Sequence, residues 1–243
     1  MGKLDAIGYT VCHRISSHSF SIGDQQMPLC ARCTGEFDAA AVALVFMGFV
    51  SHKRNRMPSR GILAVLALFF LAFGIDGSNS YLALLKSSAP GVLTQIPNLY
   101  ITNNTSRLFT GSGMGVAVAT ILYPVLNQTI WRQSENERAL DWKSFGILVA
   151  IILLIDFGVL TDSPIVLYPV AVASSMGVLA LLTTVFGILW ITLMRQENSF
   201  DSLHQLWLPA LAGLTLALLM IVSIDLVRYN LTHTWSGFPG LGG

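Results

Sequence analysis

The three cysteines of the chain all lie before residue 34, and their spacing is typical of metal ligands. Cys12 is followed by His13, and Cys30-Ala-Arg-Cys33 forms a CxxC motif further along. A CxxC turn presents two sulfur atoms to one ion, and Cys12 with His13 could complete a tetrahedral Zn²⁺ site. Side chains of adjacent residues tend to point apart, so His18 is an alternative ligand to His13. The sequence therefore predicts a Cys/His zinc site.

The same cysteines could instead perform thiol–disulfide chemistry. Thr34 could cap the first apolar helix, which would place Cys33 beside a helix N-terminus, where the dipole and Arg32 lower a thiol pKa. A CxxC motif at a membrane surface resembles the layout of quinone-linked disulfide-forming enzymes, so quinone is the cofactor under this alternative. Those enzymes carry a second cysteine pair, of which only Cys12 has a counterpart here. A structural disulfide or inert cysteines are a third interpretation.

The rest of the chain is composed for a lipid environment. Of its 243 residues, 53% are hydrophobic and 11% are charged, against roughly 25% charged in a soluble domain. The apolar residues form long runs close to the ~20 residues that a membrane-spanning helix needs. We expect six such helices, at 35–51, 61–85, 107–127, 144–161, 165–194 and 207–229. The formal net charge of +1 offers no basic surface for nucleic acid.

The predicted fold class is an all-α integral membrane bundle with a short N-terminal arm. The arm comprises residues 1–34, and residues 1–33 contain no apolar core of signal-peptide length. The membrane domain comprises 35–229, and the Gly- and Pro-rich residues 230–243 are expected to form a flexible tail. Gly111 and Gly115 predict close packing of the third span against another helix.

The distribution of Lys and Arg indicates the orientation. The loop at 52–60 carries four basic residues, and the loop at 128–143 carries three. Basic loops remain in the cytoplasm, so both termini are expected outside, and we expect a multi-pass protein of the cell membrane with an extracytoplasmic arm. Lys3, Arg14 and Arg32 in the arm oppose this assignment.

The charged residues of the spans are expected to share one side of the membrane. With six alternating spans, they all fall on the side of the cysteines. A charge at the bilayer centre costs roughly 2.5–3.5 kcal/mol, so such residues normally face a cavity or each other. The pattern therefore predicts one polar vestibule beneath the arm. Its charged residues are Glu36, Asp38, Asp76, Arg107, Asp156, Asp225 and Arg228.

Within this vestibule, Arg107 is the candidate for binding an anion, because a guanidinium can grip a phosphate or carboxylate as a fork. Asp76 or Glu36 would act as base in a catalytic version. Asp76 could pair with Arg107, could coordinate a cation, or could simply begin a loop. Glu36 could instead do no more than complement the helix dipole. Asn104 or Thr105 could also cap a helix. The further candidate binding residues are Asn79, Asn104 and Asp156.

Two sequence blocks resemble a known family. One contains Cys12-His13-Arg14, Ser19-Phe20 and Met27-Pro-Leu-Cys-Ala-Arg-Cys-Thr-Gly35; the other is Asn104-x-x-Arg107-x-x-Thr110-Gly111. Together they resemble a prokaryotic multi-pass membrane protein family of unknown function, DUF2085, over roughly residues 9–115. The resemblance implies a membrane protein in which the cysteine box matters. It implies no reaction.

These observations favour a membrane protein with a zinc site beside a polar vestibule that acts on a lipid or other anionic headgroup. The first alternative is the quinone-linked oxidoreductase. The second is an accessory subunit that binds a membrane protein partner and has no chemistry of its own. A transporter ranks lowest, because the acidic residues cluster at one end of the spans. The expected partners are the lipid bilayer and a headgroup or a protein, and the sequence leaves open whether the chain is an enzyme.

Overall fold

The structure, a computed structural model, describes residues 2–88 and 95–235. Within these residues, six helices are long and apolar enough to cross a membrane, which confirms the predicted fold class. A shorter helix, α1 (Gly2–Val11), lies in the arm. The six long helices are α2 (Ala31–Val50), α3 (Arg60–Ser88), α4 (Asn104–Ile130), α5 (Trp142–Val159), α6 (Pro164–Leu193) and α7 (Trp207–Thr232).

Helix α2 begins earlier than predicted. Its N-cap is Cys30, whose backbone is extended, and the helix starts at Ala31. Thr34 therefore lies inside the helix, where its hydroxyl donates to the Leu29 carbonyl at 3.3 Å. The prediction that Thr34 caps this helix was wrong, because the chain turns into the helix directly after Pro28-Leu29. Cys33 thus belongs to the first turn of α2.

Helices α3 and α4 are also longer than their apolar runs. The polar residues from Asp76 to Ser80 lie within α3, so the interpretation that Asp76 begins a loop was wrong. The N-cap of α4 is Asn103, which exchanges hydrogen bonds with Ser106 in a capping box, so Asn104 and Thr105 are not the cap. Of the predicted tail, residues up to Thr232 continue α7, and 236–243 lie outside the described residues.

Glycines bring the helices into backbone contact around α2. A Cβ atom on Gly111 would lie 2.1 Å from the Arg32 carbonyl oxygen, and one on Gly115 would lie 2.1 Å from that of Glu36. Gly111 and Gly115 lie in α4, so the predicted close packing of this span is confirmed, with α2 as its partner. A Cβ atom on Gly177 of α6 would lie 2.2 Å from the Phe37 carbonyl oxygen. Helix α2 is accordingly held between α4 and α6.

The arm is folded onto the bundle rather than extended. After α1 come a 3₁₀ turn (Ser16–His18) and a hairpin of β1 (Ser21–Ile22) and β2 (Gln25–Gln26). A Cβ atom on Gly8 would lie 1.9 Å from the Pro28 carbonyl oxygen, so α1 rests directly on the chain that leads into α2. This close approach brings the end of α1 to the beginning of α2.

The loops at the opposite end of the bundle form a second folded layer. Strand β3 (Arg54–Arg56) pairs in parallel with β4 (Glu135–Arg138). The Lys53 ammonium lies 4.6 Å from the centre of a Trp131 ring, and its amine donates to the Asp201 carbonyl at 2.9 Å. The basic loops are therefore ordered by contacts with each other.

Candidate metal centre and polar network

The structure brings the three cysteines together. Cys12 follows the end of α1, Cys30 caps α2, and Cys33 lies one turn further into α2. Their Sγ atoms all lie within 4.8 Å of one another. Cys12 and Cys30 are buried, Cys33 is partly exposed, and all three are free thiols. The close contact of Gly8 with Pro28 brings Cys12 near the CxxC turn.

The centre of this cluster favours a thiolate. Cys12 Sγ accepts hydrogen bonds from the backbone N–H groups of Cys30 at 3.2 Å and Arg14 at 3.4 Å. Hydrogen bonds from the thiols of Cys30 and Cys33, with these N–H groups, hold the pKa of the Cys12 thiol well below its ordinary value. The hydrogen bond to Cys12 raises the pKa of the Cys30 thiol, which acts as donor. The thiolate is the form in which a cysteine binds metal, so Cys12 is the first of the three cysteines prepared to ligate an ion.

The two histidines lie beside the cluster. His13 Nδ1 is 3.9 Å from Cys12 Sγ, and the ring centres of His13 and His18 are 5.5 Å apart. Among the described residues, the tight group of potential ligand atoms contains the cysteines alone. Burial lowers the pKa of His13, and it lowers the pKa of His18 to about 4. Both imidazoles are therefore neutral at pH 7, the form that ligates metals.

Asp76 lies in an ion pair and not in an open vestibule. Its carboxylate is fully buried and pairs with the Arg32 guanidinium. It also accepts hydrogen bonds from the Tyr100 hydroxyl at 2.5 Å and the Ser106 hydroxyl at 3.2 Å. The predicted pairing with Arg107 was wrong, because Arg107 faces the next turn of α3 while Arg32 reaches Asp76 from the first turn of α2.

Arg107 is buried among neutral oxygen atoms. Its Nε and Nη2 donate to Ser80 Oγ at 3.3 and 3.1 Å, Nη2 donates to Thr102 Oγ1 at 2.9 Å, and Nη1 donates to Asn104 Oδ1 at 3.0 Å. No carboxylate of the described residues lies within 4 Å of the guanidinium. Neither Ser80 nor Thr102 was predicted as a partner of Arg107, although Ser80 lies one helical turn after Asp76 in the same polar run.

The two predicted binding asparagines connect segments of the chain. The side chain of Asn79 donates to the Tyr100 carbonyl at 2.8 Å and accepts from the Leu99 N–H at 2.9 Å. Asn104 donates to the Ser19 carbonyl at 3.3 Å. Asn79 thus holds the loop before α4 against α3, and Asn104 holds the arm against α4.

The remaining acidic candidates have fewer partners. Asp156 is buried and accepts one hydrogen bond, from Ser112 Oγ at 2.8 Å. Glu36 is partly exposed and forms no ion pair with any described residue. Asp225 on α7 accepts a hydrogen bond from Thr10 of the arm at 2.7 Å. Asp225, Asp76 and Arg107 thus all lie at the end of the bundle that holds the cysteines, as predicted.

Comparison with known proteins gives a family match for the N-terminal part of the chain. Residues 12–121 match the family described as Predicted membrane protein (DUF2085). The match includes the three cysteines, Asp76 and Arg107, and it confirms the resemblance drawn from the two sequence blocks. A relative described as Uncharacterized protein MJ1492, from Methanocaldococcus jannaschii, is 24% identical over 131 residues, which are 54% of this chain and 72% of the relative. No solved structure gives a significant match to the chain.

Proposed function

We propose that this membrane protein binds a thiophilic divalent ion, Zn²⁺, through Cys12, Cys30 and Cys33 at one face of its helical bundle. The observation that carries the proposal is the convergence of the three Sγ atoms within 4.8 Å. In a tetrahedral site with Zn–S bonds of about 2.3 Å, the sulfur atoms are about 3.8 Å apart. Small side-chain rotations would therefore bring these sulfur atoms to ligating distance.

The fourth position decides the role of the ion. If His13 or His18 fills it, the site is closed, and the ion fastens the arm to the bundle as structural zinc does. If water or a substrate group fills it, the ion could act as a catalytic zinc. The neutral imidazoles beside the cluster support the closed form. In that form the metal would hold the N-terminal arm against the helical bundle.

Metal analysis of the full-length protein, purified with its thiols reduced, tests the proposal. We expect about one Zn²⁺ per chain, lost in Cys12→Ser and in Cys30→Ser. Comparison of His13→Ala with His18→Ala identifies the fourth ligand. His204→Ala is the matched control, because His204 is exposed at the other end of the bundle. Wild-type protein without bound metal would contradict the proposal.

We further propose that Arg107 binds the anionic headgroup of a lipid. Its charge is surrounded by neutral oxygens, so an anion would complete the site without displacing an ion pair. Glu36 is the better candidate base, since Asp76 is occupied by Arg32, Tyr100 and Ser106. Native mass spectrometry should find phosphatidylglycerol on the wild type and on Arg56→Gln, a control at the opposite face, but not on Arg107→Gln. Equal retention by all three proteins would count against this role.

Thiol–disulfide exchange is the second candidate function, and the low pKa of the Cys12 thiol favours it. Two thiols would lose two electrons and two protons to a quinone as a disulfide forms between them. If this is the function, replacing Cys33 with Ser should leave a cysteine that traps a mixed disulfide with a protein partner. Zinc-free protein whose cysteines do not react with quinone or with a thiol reagent would exclude it.

A further inference from the structure

A cavity of about 310 Å³ lies between α3, α4 and α5, and no cysteine lines it. Its wall is aliphatic and aromatic, with Phe69 and Phe109 contributing rings and Ser112 and Asp156 contributing polar groups. Cavities of this size are within the range of small-molecule sites, which combine an apolar lining with few polar groups. The polar groups therefore indicate the chemistry of the ligand.

Asp156 supplies a buried carboxyl group with an unpartnered oxygen to this cavity. The residue is 3% exposed, and its Oδ1 accepts the hydrogen bond from Ser112. In the described part of the chain, its Oδ2 has no hydrogen-bond partner. Burying a carboxyl oxygen without a partner is costly, so its position at a cavity wall points to a ligand.

A second carboxylate strengthens the negative character of this region. Asp38 is buried in α2, one turn after Gly35, and a Cβ atom on Gly35 would lie 2.7 Å from Ser112 Oγ. Asp38 is thus on the face of α2 that packs behind Ser112. Within residues 2–88 and 95–235, neither Asp38 nor Asp156 forms an ion pair.

These surroundings exclude two classes of ligand. Anions, including fatty acids, would find no Lys, Arg or His side chain among the residues that line the cavity. Ca²⁺ requires about six to eight oxygen ligands, and Mg²⁺ retains several waters, whereas the cavity wall offers oxygens only from Asp156 and Ser112 in an apolar lining. An organic cation satisfies both constraints, because its charge meets the carboxylate and its apolar body meets the aromatic wall.

We propose that this cavity binds a lipophilic organic cation whose ammonium or equivalent group contacts Asp156 and whose apolar part lies between Phe69 and Phe109. The aromatic faces add cation–π attraction, which is strongest where water is excluded. No cysteine lines the cavity, so the proposal requires no metal at the cysteine cluster.

Ethidium, a fluorescent lipophilic cation, provides the test on full-length protein in nanodiscs of phosphatidylcholine. We expect saturable binding that tetraphenylphosphonium competes for, and we expect Asp156→Asn to weaken it about tenfold or more. Asp225→Asn is the matched control, since Asp225 is also a buried carboxyl group but lies on another helix, and it should retain wild-type affinity.

A second pair of variants covers the case in which Asp156→Asn does not fold. Phe69→Leu and Phe109→Leu keep an apolar wall but remove the rings, and each should weaken ethidium binding severalfold, whereas the lipid-exposed Phe49→Leu should not. Absence of saturable binding to the wild type, or equal affinity in wild type and the cavity variants, would overturn the proposal and indicate that only lipid chains occupy the cavity.

Discussion

At the scale of single residues, the Arg32–Asp76 ion pair is the most deeply buried ion pair of the described residues. The Asp76 side chain has no exposed surface and that of Arg32 has 14%. Removing one partner of a buried pair leaves an uncompensated charge and typically costs about 3–5 kcal/mol, whereas replacing both with apolar groups can be nearly neutral. Loss of one partner should therefore lower the unfolding free energy strongly, whereas replacement of both partners with apolar residues should change it little.

Arg32→Met should lower the unfolding free energy by about 3–5 kcal/mol, and Arg32→Met/Asp76→Leu should recover most of the loss. Denaturant unfolding in detergent measures both effects. The control is Arg132→Met, because Arg132 and Asp201 form an exposed pair at the other end of the bundle, where loss costs at most about 1 kcal/mol. Equal effects of Arg32→Met and Arg132→Met on the unfolding free energy would contradict a buried ion pair between Arg32 and Asp76.

The His18 imidazole predicts a dependence of stability on pH. Burial lowers the pKa of His18 from 6.5 to about 4 in the folded protein, so the unfolded chain binds more protons between these values. Stability is therefore complete above pH 6.5 and falls as the pH decreases towards 4. In zinc-free protein, His18→Gln should make the melting temperature less sensitive to a change from pH 7 to pH 4.5. An unchanged pH profile in this variant would show that another group is responsible.

At the scale of the helices, close packing rests on glycines at particular positions. A Cβ atom on Gly115 would lie 2.1 Å from the Glu36 carbonyl oxygen, whereas one on Gly146 of α5 would meet nothing within 4 Å. Gly115→Ala should destabilise the protein by about 1–3 kcal/mol through overpacking. Gly146→Ala should be neutral or stabilise it by up to about 1 kcal/mol. Thermal unfolding distinguishes the two variants. An unchanged melting temperature in Gly115→Ala would contradict the contact of α2 with α4.

The sequence could predict which segments are helices but not how each helix is rotated. Runs of apolar residues locate six spans because the requirement for about 20 residues is a property of the bilayer. The pairing of Asp76 with Arg32 instead of Arg107 depends on the rotation of α2 and α3, which no pattern of spacing reveals. Likewise, CxxC predicted two neighbouring sulfurs, but the approach of Cys12 depends on the contact of Gly8 with Pro28.

At the scale of the whole molecule, the two ends of the chain meet at the cysteine arm. Arg228 of α7 donates to the Cys12 carbonyl at 2.8 Å, and its guanidinium lies 3.9 Å from the centre of the Tyr9 ring. The family match covers residues 12–121, so the three cysteines lie inside the matched segment, whereas Arg228 lies outside it. The arm, α2 and α7 should therefore respond together when the cysteine cluster is perturbed.

The side of the membrane that carries this assembly is a prediction of the whole chain. The arm precedes α2 and the β3–β4 layer follows it, so the two lie on opposite faces. Because Lys and Arg concentrate in the β3–β4 layer, that layer should be cytoplasmic and the arm outside. A membrane-impermeant maleimide on intact cells should label Asp24→Cys in the hairpin, but Glu137→Cys only after permeabilisation. Both positions are exposed, and the wild type controls for its own cysteines. The reverse pattern would place the cysteine cluster in the cytoplasm.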